Sequence, residues 1–76
     1  MPKYIKTIDN EIIVFADIIK HSDFSDLKPI SAGFIKFYID NKEEVSCQCF
    51  GDSFTLGLSS EPIEDTRLAK LQLLNW

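Results

Sequence analysis

The stretch Pro29–Leu58 constrains this chain most, because its side chains alternate with the two-residue period of β-structure. It reads as three successive strands, Ile30–Asp40, Glu44–Phe50 and Ser53–Leu58, separated by the turn residues Asn41–Glu43 and Gly51–Asp52. Aromatic and β-branched residues gather there, and the short connections predict an antiparallel meander. Ile35, Phe37 and Ile39 share one face of the first strand, Val45, Cys47 and Cys49 one face of the second, and Phe54, Leu56 and Leu58 one face of the third. This set predicts the core side of the sheet, with Phe37, Leu56 and Leu58 in the main core. The opposite face carries Phe34, Tyr38 and Phe50, more aromatic surface than a solvated face requires.

The remaining segments read as cover for that sheet. Tyr4–Ile8 and Glu11–Phe15 predict a hairpin about Asp9–Asn10, and the run Ile12–Phe15, apolar on both faces, predicts a central strand. Asp17 and Ser22 are positioned to cap two short helical turns broken near His21, and Lys28 is expected to be extended before Pro29. A final helix runs from about Pro62 to Leu74, with Glu61, Glu64 and Asp65 near its positive end. Its apolar residues form two stripes, Leu68, Leu71 and Leu74 on one side and Ala69, Leu73 and Trp76 on another. The resulting order is ββαβββα, one α+β domain over residues 1–76 with the C-terminal helix on one face of an antiparallel sheet. One core in so short a chain supplies only ~3–5 kcal/mol, so marginal stability or self-association is expected.

A net charge of −4 argues against nucleic acid as a partner. The helix–three strands–helix order of residues 16–76 invites comparison with double-stranded-RNA-binding domains. Those place basic residues at the start of the last helix, where this chain has Glu61, Glu64 and Asp65. No apolar run approaches the ~20 residues of a membrane span, and the N-terminus lacks the apolar core of a signal peptide, so the expected location is cytoplasmic. Cys47 and Cys49 stand at i and i+2 of one strand, roughly 6.5–7 Å apart at Cα, which is too far for an unstrained disulfide. A structural zinc site needs four ligands, and beyond these two thiols only His21 and scattered carboxylates remain. The thiols therefore read as reduced core residues, with no metal and no cofactor expected.

His21, Ser22 and Asp23 are neighbours on one turn, which does not supply the spatial geometry of a catalytic triad, and no nucleophile elbow is present. No catalytic residue is assigned. The polar set Ser31, Gly33, Asp52, Ser53 and Ser60, with Gly57 and the lone histidine His21, is the candidate binding group. Glycine inside a strand marks a bulge or a close approach of another backbone. The competing expectation for the same set is structural, turn chemistry plus helix packing over glycine, and it is the stronger of the two.

The segments Pro29-Ile30-Ser31-Ala32-Gly33-Phe34, Gly51–Ser60 and Pro62–Asp65, read together, resemble a group of short bacterial proteins, some borne by phages or other mobile elements, described only as hypothetical. The likeness runs from Glu11 onward. It implies a bacterial or phage source and one self-contained domain, and it implies no activity. The leading functional expectation is a non-catalytic protein–protein interaction module, with Phe34, Tyr38, Phe50, Leu73 and Trp76 as interface residues. The partner is a second copy, giving a homodimer, or another protein. The alternative is a small-molecule or nucleotide-binding module using the glycine and serine set, and the weakest is an enzyme using His21 or Cys47.

Overall fold

The computed structural model describes residues 1–74, so Trp76 lies outside the described residues. The elements are β1 (Lys3–Thr7), β2 (Ile12–Phe15), a 3-10 helix (His21–Leu27), β3 (Pro29–Ile39), β4 (Val45–Phe50), β5 (Asp52–Ser53), β6 (Leu58–Ser59) and α1 (Pro62–Leu73). Four antiparallel strands in the order β2-β1-β3-β4 form the sheet, and β5 and β6 form a separate two-stranded ribbon. The α+β class and the antiparallel sheet with a C-terminal helix are those the sequence pattern predicts.

Two strand expectations are corrected. β2 is an edge strand, not a central one. Its double-sided apolar character arises because both faces of the sheet are covered. Ile12 and Val14 meet the α1 side, while Ile13 and Phe15 meet the opposite layer. The third meander strand does not form either. Residues 54–57 turn sharply, with Gly57 at φ 66° and its N–H donating to Phe54 O at 3.2 Å. Leu56 and Leu58 consequently join the second core and not the first.

The α1-side core contains Tyr4, Ile12, Ile35, Cys47, Cys49 and Ala69, flanked by Val14, Leu68 and Leu74. The other contains Ile5, Phe15 and Ala32, flanked by Ile13, Ile19, Phe24, Leu56 and Leu58. Both α1 and the layer made by the 3-10 helix and the β5–β6 ribbon are thus held by burial, worth ~1.5–3 kcal/mol for each large aliphatic side chain. The 3-10 helix starts without a side-chain cap, so Ser22 does not play that part. Lys28 is left-handed (φ 56°, ψ 59°), not extended. Two hydrogen bonds hold it there, its N–H to Ser25 O and Ile8 N–H to its own carbonyl.

The stripe that α1 turns to the sheet is neither of the two expected. Asp65 and Ala69 are fully buried, and Gln72, one turn on, accepts from Ile12 N–H and donates to Asn10 O. Leu68 and Leu74 flank this row, while Leu71 and Leu73 remain partly open. Positions 65, 69 and 72 lie on one helical row, and two of them are polar, which hides the buried face from a search for leucines.

Candidate functional site

β3 is longer than the strand beside it, and that length shapes the most exposed apolar part of the molecule. Pairing with β1 stops at Ile35, whose N–H donates to Pro2 O at 3.0 Å. Pro2 has no N–H to return, which ends the ladder there. Met1 then turns away toward Asp17, its amino group 3.2 Å from that carboxylate. Beyond this point β3 is paired only with β4, through Lys36↔Gln48, Phe37↔Cys47, Tyr38↔Ser46 and Ile39↔Val45. The two strands form an arm closed by Asp40, whose Oδ1 accepts from the N–H groups of Lys42 and Glu44. Phe37, Tyr38, Ile39 and Val45 are all exposed on it, in a molecule 37 × 24 × 16 Å.

The backbone on one rim of the arm is open as well. Ile35 N–H points to the β1 side and Asp40 N–H donates across to Glu44 O at 2.9 Å. In an antiparallel ladder these directions alternate, so Lys36 and Tyr38 bond to β4 while Phe37 and Ile39 turn their N–H and C=O groups outward. Neither has a backbone partner among the described residues. The outer rim of β4 differs, because Cys49 N–H is taken by Thr66 Oγ1 at 2.9 Å. Phe37, expected in the core, is 44% exposed, because nothing lies opposite it once β3 has passed β1.

At the other end of β3 sits a buried charge network. Asp65 Oδ2 accepts from Tyr4 hydroxyl (2.5 Å), Ser31 hydroxyl (2.7 Å) and Glu61 N–H (3.0 Å). Its Oδ1 lies 2.7 Å from the Lys6 ammonium, which also reaches Glu61 Oε2 at 3.2 Å. Burial alone would raise the Asp65 pKa, but the hydrogen bonds from Lys6, Tyr4, Glu61 N–H and Ser31 outweigh it and hold the carboxyl below its ordinary value. Burial alone would lower that of Lys6, and the bonds to Asp65 and Glu61 reverse the direction to a net rise. Tyr4 is pushed up, first by burial and then by its bond to Asp65. Ser31, a candidate binding residue, belongs to this lock. Both members of the Lys6–Asp65 pair are sealed from solvent, so the network anchors α1 and presents no group to a ligand.

Three candidate binding residues do share one cleft. His21, Asp52 and Ser53 line a hollow of about 250 Å³ with Lys3, Lys20, Phe34, Phe54 and Thr55. His21 is nearly buried, with Nε2 2.8 Å from Gly33 O, so that nitrogen carries the proton. Its ring meets Phe15 and Phe34 edge-on at 5.4 and 6.0 Å. Lys3 Nζ is engaged with Ile19 O at 3.1 Å. Gly33 serves packing: a Cβ there would stand 2.4 Å from Phe50 O, a close approach only glycine allows. Ser60 is half-buried, its N–H donating to Gly51 O at 2.9 Å. Phe34 and Phe50 are half-buried against each other, ring centres 6.0 Å apart, so of the expected interface residues only Tyr38 and Leu73 are exposed among those described.

Cys47 and Cys49 are free and fully buried on the α1 side, the sheet face opposite His21. Burial pushes the Cys47 thiol up and, with the neighbouring Cys47, pushes Cys49 up to about 12, leaving both protonated near neutral pH. Among the described residues no group of three or more His, Cys, Asp and Glu side chains is placed to hold a metal ion. None of the described helices is long and apolar enough to cross a membrane. The chain matches no known family model, no characterised protein and no solved structure.

Proposed function

We propose that this protein is a non-catalytic protein-interaction module, and that the β3–β4 arm is its docking element. One observation carries the reading: Phe37 and Ile39 combine exposed apolar side chains with outward, unpartnered backbone groups on one rim. Strands with such rims add a further strand readily, and proteins that do not use them blunt them with charge, proline or a covering segment. Here Pro2 stops β1 short of the rim and leaves it available. The buried network supports the same reading, because it anchors α1 to β1 and to the start of β3, away from the arm, while offering no reactive group to a substrate.

A photocrosslinking residue in place of Phe37, in cells producing the protein, tests this reading. Capture of one discrete protein species at position 37, with none from the same group in place of Ile18, is the expected result. Ile18 is 88% exposed outside the arm. Equal labelling at both positions, or none at Phe37, overturns the reading.

A further inference from the structure

We propose that the strand received by the arm is the same strand of a second copy, with β3 meeting β3 about a two-fold axis through Tyr38. This deepens the docking reading and rests on it. A two-fold antiparallel pairing sets residue i of one strand opposite residue j of the other with a constant sum. Only Phe37 and Ile39 carry outward polar groups free of β1, so Phe37 must face Ile39 of the second copy. That register centres on Tyr38. Each Phe37–Ile39 pair then exchanges two N–H···O bonds, and the symmetry supplies a second such pair. Centring on Phe37 would require Ile35, whose N–H is held by Pro2. Centring on Ile39 would push Phe37 against the turn residue Asn41.

Side chains agree with the same register. Lys36 falls opposite Asp40 of the second copy, and Asp40 falls opposite Lys36, so unlike charges meet twice. Asp40 commits Oδ1 to its own turn, and Oδ2 has no partner among the described residues. Phe37 meets Ile39 on the α1 side, where each is exposed in a single copy. On the other side Tyr38 meets its own symmetry mate in a non-hydrogen-bonded pair, where side chains approach most closely. The second arm lies in line with β1, filling the space that Pro2 leaves open. After Asp40 the chain turns back toward β4, with Glu43 N–H donating to Asp40 O, so the turn bends away from the rim.

The test is charge exchange. Sedimentation equilibrium of the full chain is expected to show a dimer, and Lys36→Glu alone or Asp40→Lys alone should weaken it about tenfold or more, since two like-charge pairs replace two unlike ones. Mixing the two variants restores both unlike pairs and should restore association as a heterodimer. In parallel, Tyr38→Cys should form an inter-chain disulfide under mild oxidation, and Lys42→Cys should not. A monomeric wild type, a mixture no tighter than its components, or Tyr38→Cys that stays monomeric each overturns the proposal. If the Phe37 crosslink instead captures a different protein, the docking reading stands and self-pairing falls. If it captures nothing, both fall.

Discussion

Ile35 and Phe37 are two residues apart on one face of one strand, yet Ile35 is fully buried and Phe37 is 44% exposed. Both are apolar and both obey the same alternation. What separates them is whether other elements flank β3 at that point. At Ile35 the strand still has Pro2 on one side and Cys49 of β4 on the other, and Ile35 itself packs in the α1-side core. Past it the strand has only β4 beside it. Alternation therefore tells which residues share a face, and neighbouring elements decide whether that face is a core.

The buried end of the sheet should respond most strongly to substitution. Asp65→Asn takes the closer, buried anion from the Lys6 ammonium and leaves it only the exposed Glu61 carboxylate, and should cost about 3–5 kcal/mol, enough to unfold a domain this small. Urea unfolding would read it. A variant as stable as wild type would mean that the network does not anchor α1. The same pair sets the pH response. Asp65 has a lowered folded pKa, so its contribution is present above the unfolded carboxylate value of about 4 and is lost as pH falls through the folded one. Lys6 has a raised folded pKa, so its contribution is complete below about 10.4 and is lost as pH climbs through the folded value. The melting temperature should be flat between these limits and fall at both ends.

Next in size is the contrast itself. Ile35→Ala should cost about 2–5 kcal/mol and Phe37→Ala about 1 kcal/mol or less, measured at concentrations too low for association. Equal losses would place Phe37 in a core after all. Gly33→Ala sharpens the boundary between the two regions. Its new methyl meets the Phe50 carbonyl 2.4 Å away, and β3 and β4 must part to admit it, at about 1–3 kcal/mol. The smallest signal is chemical. Both thiols should react slowly with a disulfide reagent in the native state and rapidly once unfolded, because both are buried and protonated. Fast native labelling would show that the α1 side opens.

Element identity was legible because it follows from local pattern. Pro62 with the acids after it marks the start of α1, and the alternation in β3 and β4 marks their shared faces. The interior of the site was less legible, since it depends on residues far apart in the chain. Lys6 shares a face with Tyr4, and Asp65 shares a row with Ala69, so each pattern places a charge among core positions. Reading the two anomalies as partners would have exposed the lock. The cleft around His21 was hidden for another reason. Phe54 and Thr55 line it because residues 54–57 form a turn, which an alternating apolar pattern conceals.

The span of the lock also governs how the chain assembles. Tyr4 and Asp65 are 61 residues apart, and every strand precedes α1 in the order of synthesis. Until the helix arrives, the sheet holds an ammonium group on the side it must dry out, with nothing there to neutralise it. Closing that side is therefore expected to come late, when the first strand and the last helix meet. Loop-closure entropy makes such a step slow relative to local pairing. A nascent chain halted before α1 would expose Ile35, Cys47 and Cys49 to neighbouring chains, making it the species most prone to aggregate.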